Sequence, residues 1–248
     1  MTLPIEEALP ALLSALRTGG VAVLQAPPGA GKTTGVPLAL LPEVSGRIVM
    51  LEPRRLATRA AAARMAETLG ERVGQTVGFR MRGASEVTAE TRIEVVTEGI
   101  LTRMIQSDPE LSGIGAVIFD EFHERSLNAD LGLALCWEAR QALRPDLQVL
   151  VMSATLDAEP VAAMLGAPVV TSLGRSFDVA RRWRDRPPPD GQQFEAQVAS
   201  LVVRALEETT GDVLAFFPGE GEIRRCAALL TGCGAEVRPL YGALPFAE

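Results

Sequence analysis

An apolar run, VAVLQA (21–26), leads directly into PPGAGKTT (27–34). A buried strand that ends in a glycine-rich turn and restarts as a helix allows few architectures. APPGAGKT (26–33) matches the Walker A pattern, with Ala26 in place of the first glycine. Glycines let backbone N–H groups curl around a phosphate, and the following helix N-terminus adds its dipole. Lys32 then reaches the β- and γ-phosphates, and the Thr33 hydroxyl suits Mg²⁺. A glycine-rich turn can also be only a turn, but the strand before it and the helix after it favour phosphate. The basic residues point the same way: of the 24, Lys32 is the single lysine. The broad fork of arginine does not replace a compact ammonium in such a nest.

The rest of the chain repeats the strand-to-helix alternation. Apolar strands are expected at 47–53, 91–99, 115–121 and 147–155, with a possible sixth at 168–172. Helices are expected at 4–18, 56–70, 100–107, 128–144, 160–166, 194–209 and 220–232, with a polar connection over 71–90 and a further strand with a turn at 211–219. Short continuous apolar strands between helices describe an α/β fold, a mostly parallel sheet covered on both faces. Such sheets bind ligands beyond the carboxyl ends of their strands. The polar motifs at 26–34, 53–55, 97–99, 120–123 and 153–155 all fall at such ends.

Those motifs suggest a division of labour. In IFDEFH (118–123), Asp120 is set to hold Mg²⁺, usually through water, and Glu121 to polarise an attacking water beside the metal. The segment could also be an acidic helix cap. His123, the only histidine, is either a structural hydrogen-bonder or a link from the nucleotide site to a neighbouring loop. Ser153 and Thr155 of SAT offer two hydroxyls that can bond the acidic motif. The formal net charge of -7 disfavours a nucleic-acid partner at first sight. Locally the balance reverses, because residues 51–82 hold seven arginines and three glutamates. Arg54 and Arg55 of PRR, at a strand end, suit backbone phosphates, although the cluster could be a solvated helix face. Thr97, Glu98 and Gly99 form a second strand exit able to touch a sugar-phosphate backbone. Aromatic residues are only 4% of the chain, which argues against base-stacking modules of the RRM or OB type.

Taken in order, APPGAGKT, PRRLA, TEGIL, DEFHERS, SAT and FFPGEGEI resemble the DEAH/RHA group of superfamily 2 helicases. They are closest to a bacterial branch of that group whose acidic motif is likewise DEFH. The resemblance implies a RecA-like P-loop NTPase domain using ATP and Mg²⁺. It implies a phosphate loop made by Gly29, Ala30, Gly31, Lys32, Thr33 and Thr34, with Asp120 and Glu121 serving the metal and the water. It implies that His123, Ser153 and Thr155 couple hydrolysis to domain movement. Arg54, Arg55, Thr97, Glu98 and Gly99 would hold single-stranded nucleic acid, RNA rather than DNA, although phosphate contacts do not themselves read the sugar. Arg64 falls where members of the group stack an arginine on adenine.

The same resemblance divides the chain into a first RecA-like domain (1–173), a linker (174–193) and the first part of a second RecA-like domain (194–248). The group's later coupling motif and its QxxGRxGR motif do not occur before Glu248, nor do the winged-helix and helical-bundle domains. The chain alone is therefore expected to hydrolyse ATP poorly and not to unwind a duplex, the missing domains belonging to a full-length protein. No stretch of 18 apolar residues suggests a membrane span, and the acidic start does not resemble a signal peptide. Cys136, Cys226 and Cys233 form no CxxC pair and read as reduced thiols, which suggests a cytoplasmic protein. Two other readings stay open: a P-loop ATPase acting on protein or small-molecule cargo, and a non-catalytic docking module.

Overall fold

Strand β1 (Val21–Gln25) lies near one side of an eight-stranded sheet, ordered β4-β3-β5-β2-β6-β7-β1-β8. The other strands are β2 (Arg47–Leu51), β3 (Val77–Met81), β4 (Ala84–Glu86), β5 (Ile93–Val96), β6 (Ile114–Phe119), β7 (Gln148–Ser153) and β8 (Val169–Thr171). Every pairing is parallel except β3 with β4. The computed structural model describes residues 3–154, 158–174, 178–183, 193–242 and 244.

The apolar strands are continuous because both faces are covered. Alternate residues of one strand serve two cores: Ile48 and Met50 enter one, Val49 and Leu51 the other. The first core packs against α1 (Leu9–Gly19), α2 (Lys32–Leu40) and α3 (Arg55–Leu69). The second packs against α4 (Glu98–Ser107), α5 (Leu127–Ala142) and α6 (Ala158–Leu165). Phe119 is fully buried in the second core, edge-on to Phe122 at 6.2 Å. This is the RecA-like P-loop NTPase arrangement, a largely parallel sheet between two helical layers.

The hairpin of β3 and β4 was not anticipated, since residues 71–90 read as a polar connection. The cause is Arg80, inside β3, which would ordinarily argue against a covered strand. Its Nε lies 2.8 Å from Oε1 of Glu94, a fully buried carboxylate on β5, and Arg47 approaches Glu94 at 3.5 Å. A buried charge is tolerated where partners offset it.

One close approach fixes a residue type. The pairing of β2 with β6 skips Gly115, and a Cβ there would lie 2.0 Å from the Ser45 carbonyl oxygen. Backbone cannot give way as a flexible side chain can. Gly115→Ala is expected to destabilise the chain by about 2 kcal/mol, as for an overpacked core. Urea denaturation measures it, and a loss below about 0.5 kcal/mol would mean that the Ser45 loop moves aside at little cost.

The chain divides into two compact units, Met1–Phe177 and Asp178–Glu248. In the second, α7 (Phe194–Glu208) packs on α8 (Glu220–Leu229) around Ala199, Cys226 and Leu230. The strand expected at 211–219 is not formed: residues 212–217 are unpaired, with Leu214 and Phe216 largely exposed. A strand exists only through a partner, and the described residues of this unit contain none.

Candidate active site

The loop after β1 is shaped by its glycines and held from the N-terminal side. Gly29 and Gly31 have φ of 77° and 91°. At Gly31 a Cβ would also meet Leu3 at 2.8 Å, so only glycine fits. Buried Ala30 donates its N–H to the Pro27 carbonyl and accepts from Ile5 N at 3.0 Å. Gly31 precedes α2, so Lys32, Thr33 and Thr34 form the first turn of that helix, where backbone N–H groups remain available.

Lys32 is 4% exposed, and its Nζ donates to Glu121 Oε1 at 2.9 Å. Glu121 follows Asp120, which closes β6; Asp120 N donates to the Leu51 carbonyl. Asp120 is 1% exposed. Its Oδ1 accepts from Glu121 N at 2.8 Å, while its Oδ2 is buried with no hydrogen-bond partner. Burial raises the Asp120 carboxyl above the usual range, against the opposing pull of the Thr33 hydroxyl and the Lys32 ammonium. An orphaned carboxylate oxygen beside a threonine hydroxyl fits a divalent cation completed by phosphate oxygens and water. Among the described residues no cluster of three or more acidic, histidine or cysteine side chains forms a cage, and such an open site does not require one.

A third carboxylate faces this pair. Glu52, directly after β2, is 2% exposed and accepts from Arg54 N at 3.4 Å. Burial, then the charges of Asp120 and Glu121, push its carboxyl up to about 7 against the pull of Arg54. The sequence reading counted Glu52 only as a charge. Its signal was position: a carboxylate directly after the last apolar residue of a strand, at the edge where the other motifs gather.

His123 sits in a 3-10 turn, Phe122–Glu124. Its Nδ1 accepts from Ala154 N at 3.2 Å and lies 3.4 Å from Glu121 Oε2. Accepting that N–H needs a lone pair on Nδ1, which puts the ring proton on Nε2. The acidic motif therefore touches the SAT segment at the backbone of its middle residue. Ser153, at the end of β7, is buried, and its carbonyl accepts from Ala26 N at 3.0 Å, tying this segment to the phosphate loop. Thr155 lies outside the described residues.

The arginine-rich segment is less free than its count suggests. Arg54 precedes α3 and pairs with Glu124 at 3.2 Å; Arg55 donates to the Arg82 carbonyl at 2.9 Å. Arg59 lies over the Phe79 ring, Arg64 pairs with Glu67 at 2.6 Å, and Arg80 belongs to Glu94. Arg64 is solvent-exposed on α3. Thr97 precedes α4 without capping it by its side chain, and Gly99 is exposed in its first turn. Between them, Glu98 accepts from the Ser126 hydroxyl at 2.5 Å.

A glycine-rich loop feeding a helix, opposite a carboxylate pair at the carboxyl edge of a parallel sheet, defines the class as a P-loop NTPase. Residues 5–164 match the DEAD/DEAH box helicase family. The chain belongs to that family. It is 53% identical to the ATP-dependent RNA helicase HrpB of Escherichia coli, over 98% of this chain and 30% of that protein. It is 34% identical to the ATP-dependent RNA helicase HrpA of the same organism, over 99% of this chain and 20% of that one. A crystal structure of the E. coli DEAH/RHA helicase HrpB superposes with a TM-score of 0.90, over 98% of this chain and 32% of the solved one. The chain thus spans a third or less of these relatives.

Proposed function

We propose that the full-length protein is an ATP-dependent helicase that moves along single-stranded nucleic acid, RNA rather than DNA. In this reading residues 1–173 are its first RecA-like domain, 174–193 a linker, and 194–248 the beginning of a second RecA-like domain. The observation that carries the reading is the convergence of Lys32, Thr33, Asp120 and Glu121 at one point of the sheet edge. The names of the relatives as RNA helicases support RNA. Exposed Leu214 and Phe216 are what the edge of a further sheet would cover. A cytoplasmic setting fits the three free cysteines.

The chemistry follows from the groups present. Lys32 offsets charge on the β- and γ-phosphates, and the backbone from Gly29 to Thr34 cradles them. Thr33 and Asp120, with Glu121 beside them, would hold Mg²⁺, which neutralises phosphate charge when bound. A γ-phosphate competes with Glu121 for the Lys32 ammonium, leaving Glu121 free to orient water. His123, Ser153 and Thr155 link that event to movement. Arg64 stacks on the base, and Arg54, Arg55, Thr97, Glu98 and Gly99 follow the nucleic-acid backbone.

The test is ATP turnover by the full-length protein without nucleic acid, with single-stranded RNA and with single-stranded DNA. RNA is expected to raise turnover about tenfold or more, a usual coupling strength. A flat response to both would defeat the nucleic-acid reading and favour an ATPase acting on other cargo.

A further inference from the structure

The loop after Glu121 is bent twice against steric preference. Glu121 and Arg125 have φ of 50° and 47°, the left-handed region that disfavours side chains. Such conformations persist only where the surroundings impose them. Part of the restraint is local, since Phe122 is buried against Phe119 and Arg125 pairs with Asp130 at 2.9 Å. The rest comes from two side chains assigned above to nucleic acid. Arg54 pairs with Glu124, exposed at both ends and therefore weak. Glu98 accepts from Ser126 at 2.5 Å in a partly buried, charge-assisted bond of a stronger kind.

Ser126 has two duties. Its oxygen accepts from Ala129 N at 3.0 Å, capping α5, while its hydroxyl hydrogen goes to Glu98 in the first turn of α4. One hydroxyl thus joins the starts of two helices, and the residue before it is the strained Arg125. We propose that Ser126 is a positioning residue that transmits nucleic-acid contact at Thr97–Gly99 to the loop carrying Glu121, through its bond to Glu98. The proposal rests on the nucleic-acid reading of Thr97–Gly99. A phosphate held by the backbone N–H groups of Glu98 and Gly99 at the α4 N-terminus repels the Glu98 side-chain carboxylate. Displacing that carboxylate pulls Ser126 and so alters the restraint on residues 121–125.

The experiment uses the full-length protein, with ATP turnover measured with and without a single-stranded oligouridylate. Ser126→Asp retains a good helix cap but sets a second carboxylate against Glu98. Ser126→Thr keeps both bonds. Ser126→Asp is expected to hold its melting temperature and its basal turnover within about twofold while RNA stimulation falls about tenfold, the scale of one charge-assisted hydrogen bond. The loss falls in the maximal rate rather than in the RNA concentration that half-saturates it, and Ser126→Thr restores it. Glu98→Ala breaks the same bond while leaving the cap, and combined with Ser126→Asp it loses no more stimulation than either change alone. Wild-type stimulation in Ser126→Asp, or equal loss of basal and stimulated rates, overturns the proposal alone. Absence of stimulation in the unsubstituted protein overturns the nucleic-acid reading, and the proposal with it.

Discussion

Lys32→Ala in the full-length protein is expected to lower the maximal rate of ATP hydrolysis about a thousandfold, the upper end of what one preorganised charge-stabilising donor supplies. The upper end applies because the lost group is a full charge in a dry place. Lys32 is 4% exposed in the first turn of α2, and its ammonium lies 2.9 Å from Glu121. Alanine removes the charge that meets the phosphates and also strands Glu121 beside buried Asp120 and Glu52. Arginine should not rescue, because a planar fork cannot take the place of a compact ammonium in this enclosed turn. Steady-state turnover at saturating ATP measures the effect. A rate within about threefold of the unsubstituted protein would exclude Lys32 from the chemistry.

The site was legible where chemistry lies close in sequence, and obscure where packing brings it together. PPGAGKTT carries its turn, its helix start and its lysine within eight residues, so local rules suffice. The parallel sheet followed from strands apolar on every residue, as Ile48–Leu51 feeding two cores makes plain. The β3–β4 hairpin did not follow, because Arg80 reads as solvent-facing until Glu94, fourteen positions on, is found buried against it. His123 meeting the backbone N–H of Ala154 depends on an orientation that sequence does not encode. The unformed strand at 212–217 makes a related point. A suitable apolar pattern specifies a strand only where another strand can receive its hydrogen bonds.

Glu52→Gln is expected to stabilise the chain by up to roughly 3 kcal/mol at about pH 8, and hardly at all near pH 4.5. The sign follows from proton counting. Burial and the neighbouring carboxylates raise the Glu52 carboxyl from 4.5 to about 7 in the folded chain. Between those values the folded state keeps a proton that the unfolded state has released. Stability therefore falls as pH rises through that window, and the whole cost is present above it. Glutamine carries no charge to desolvate, and its oxygen can still accept from Arg54 N. Urea denaturation at both pH values measures the difference. An equal effect at each would assign the gain to packing rather than to ionisation. Stability gained by neutralising one side chain would identify Glu52 as a group held at the sheet edge at the expense of the fold. That is the usual mark of a residue kept for what it does to its neighbours, here the carboxylate pair Asp120 and Glu121.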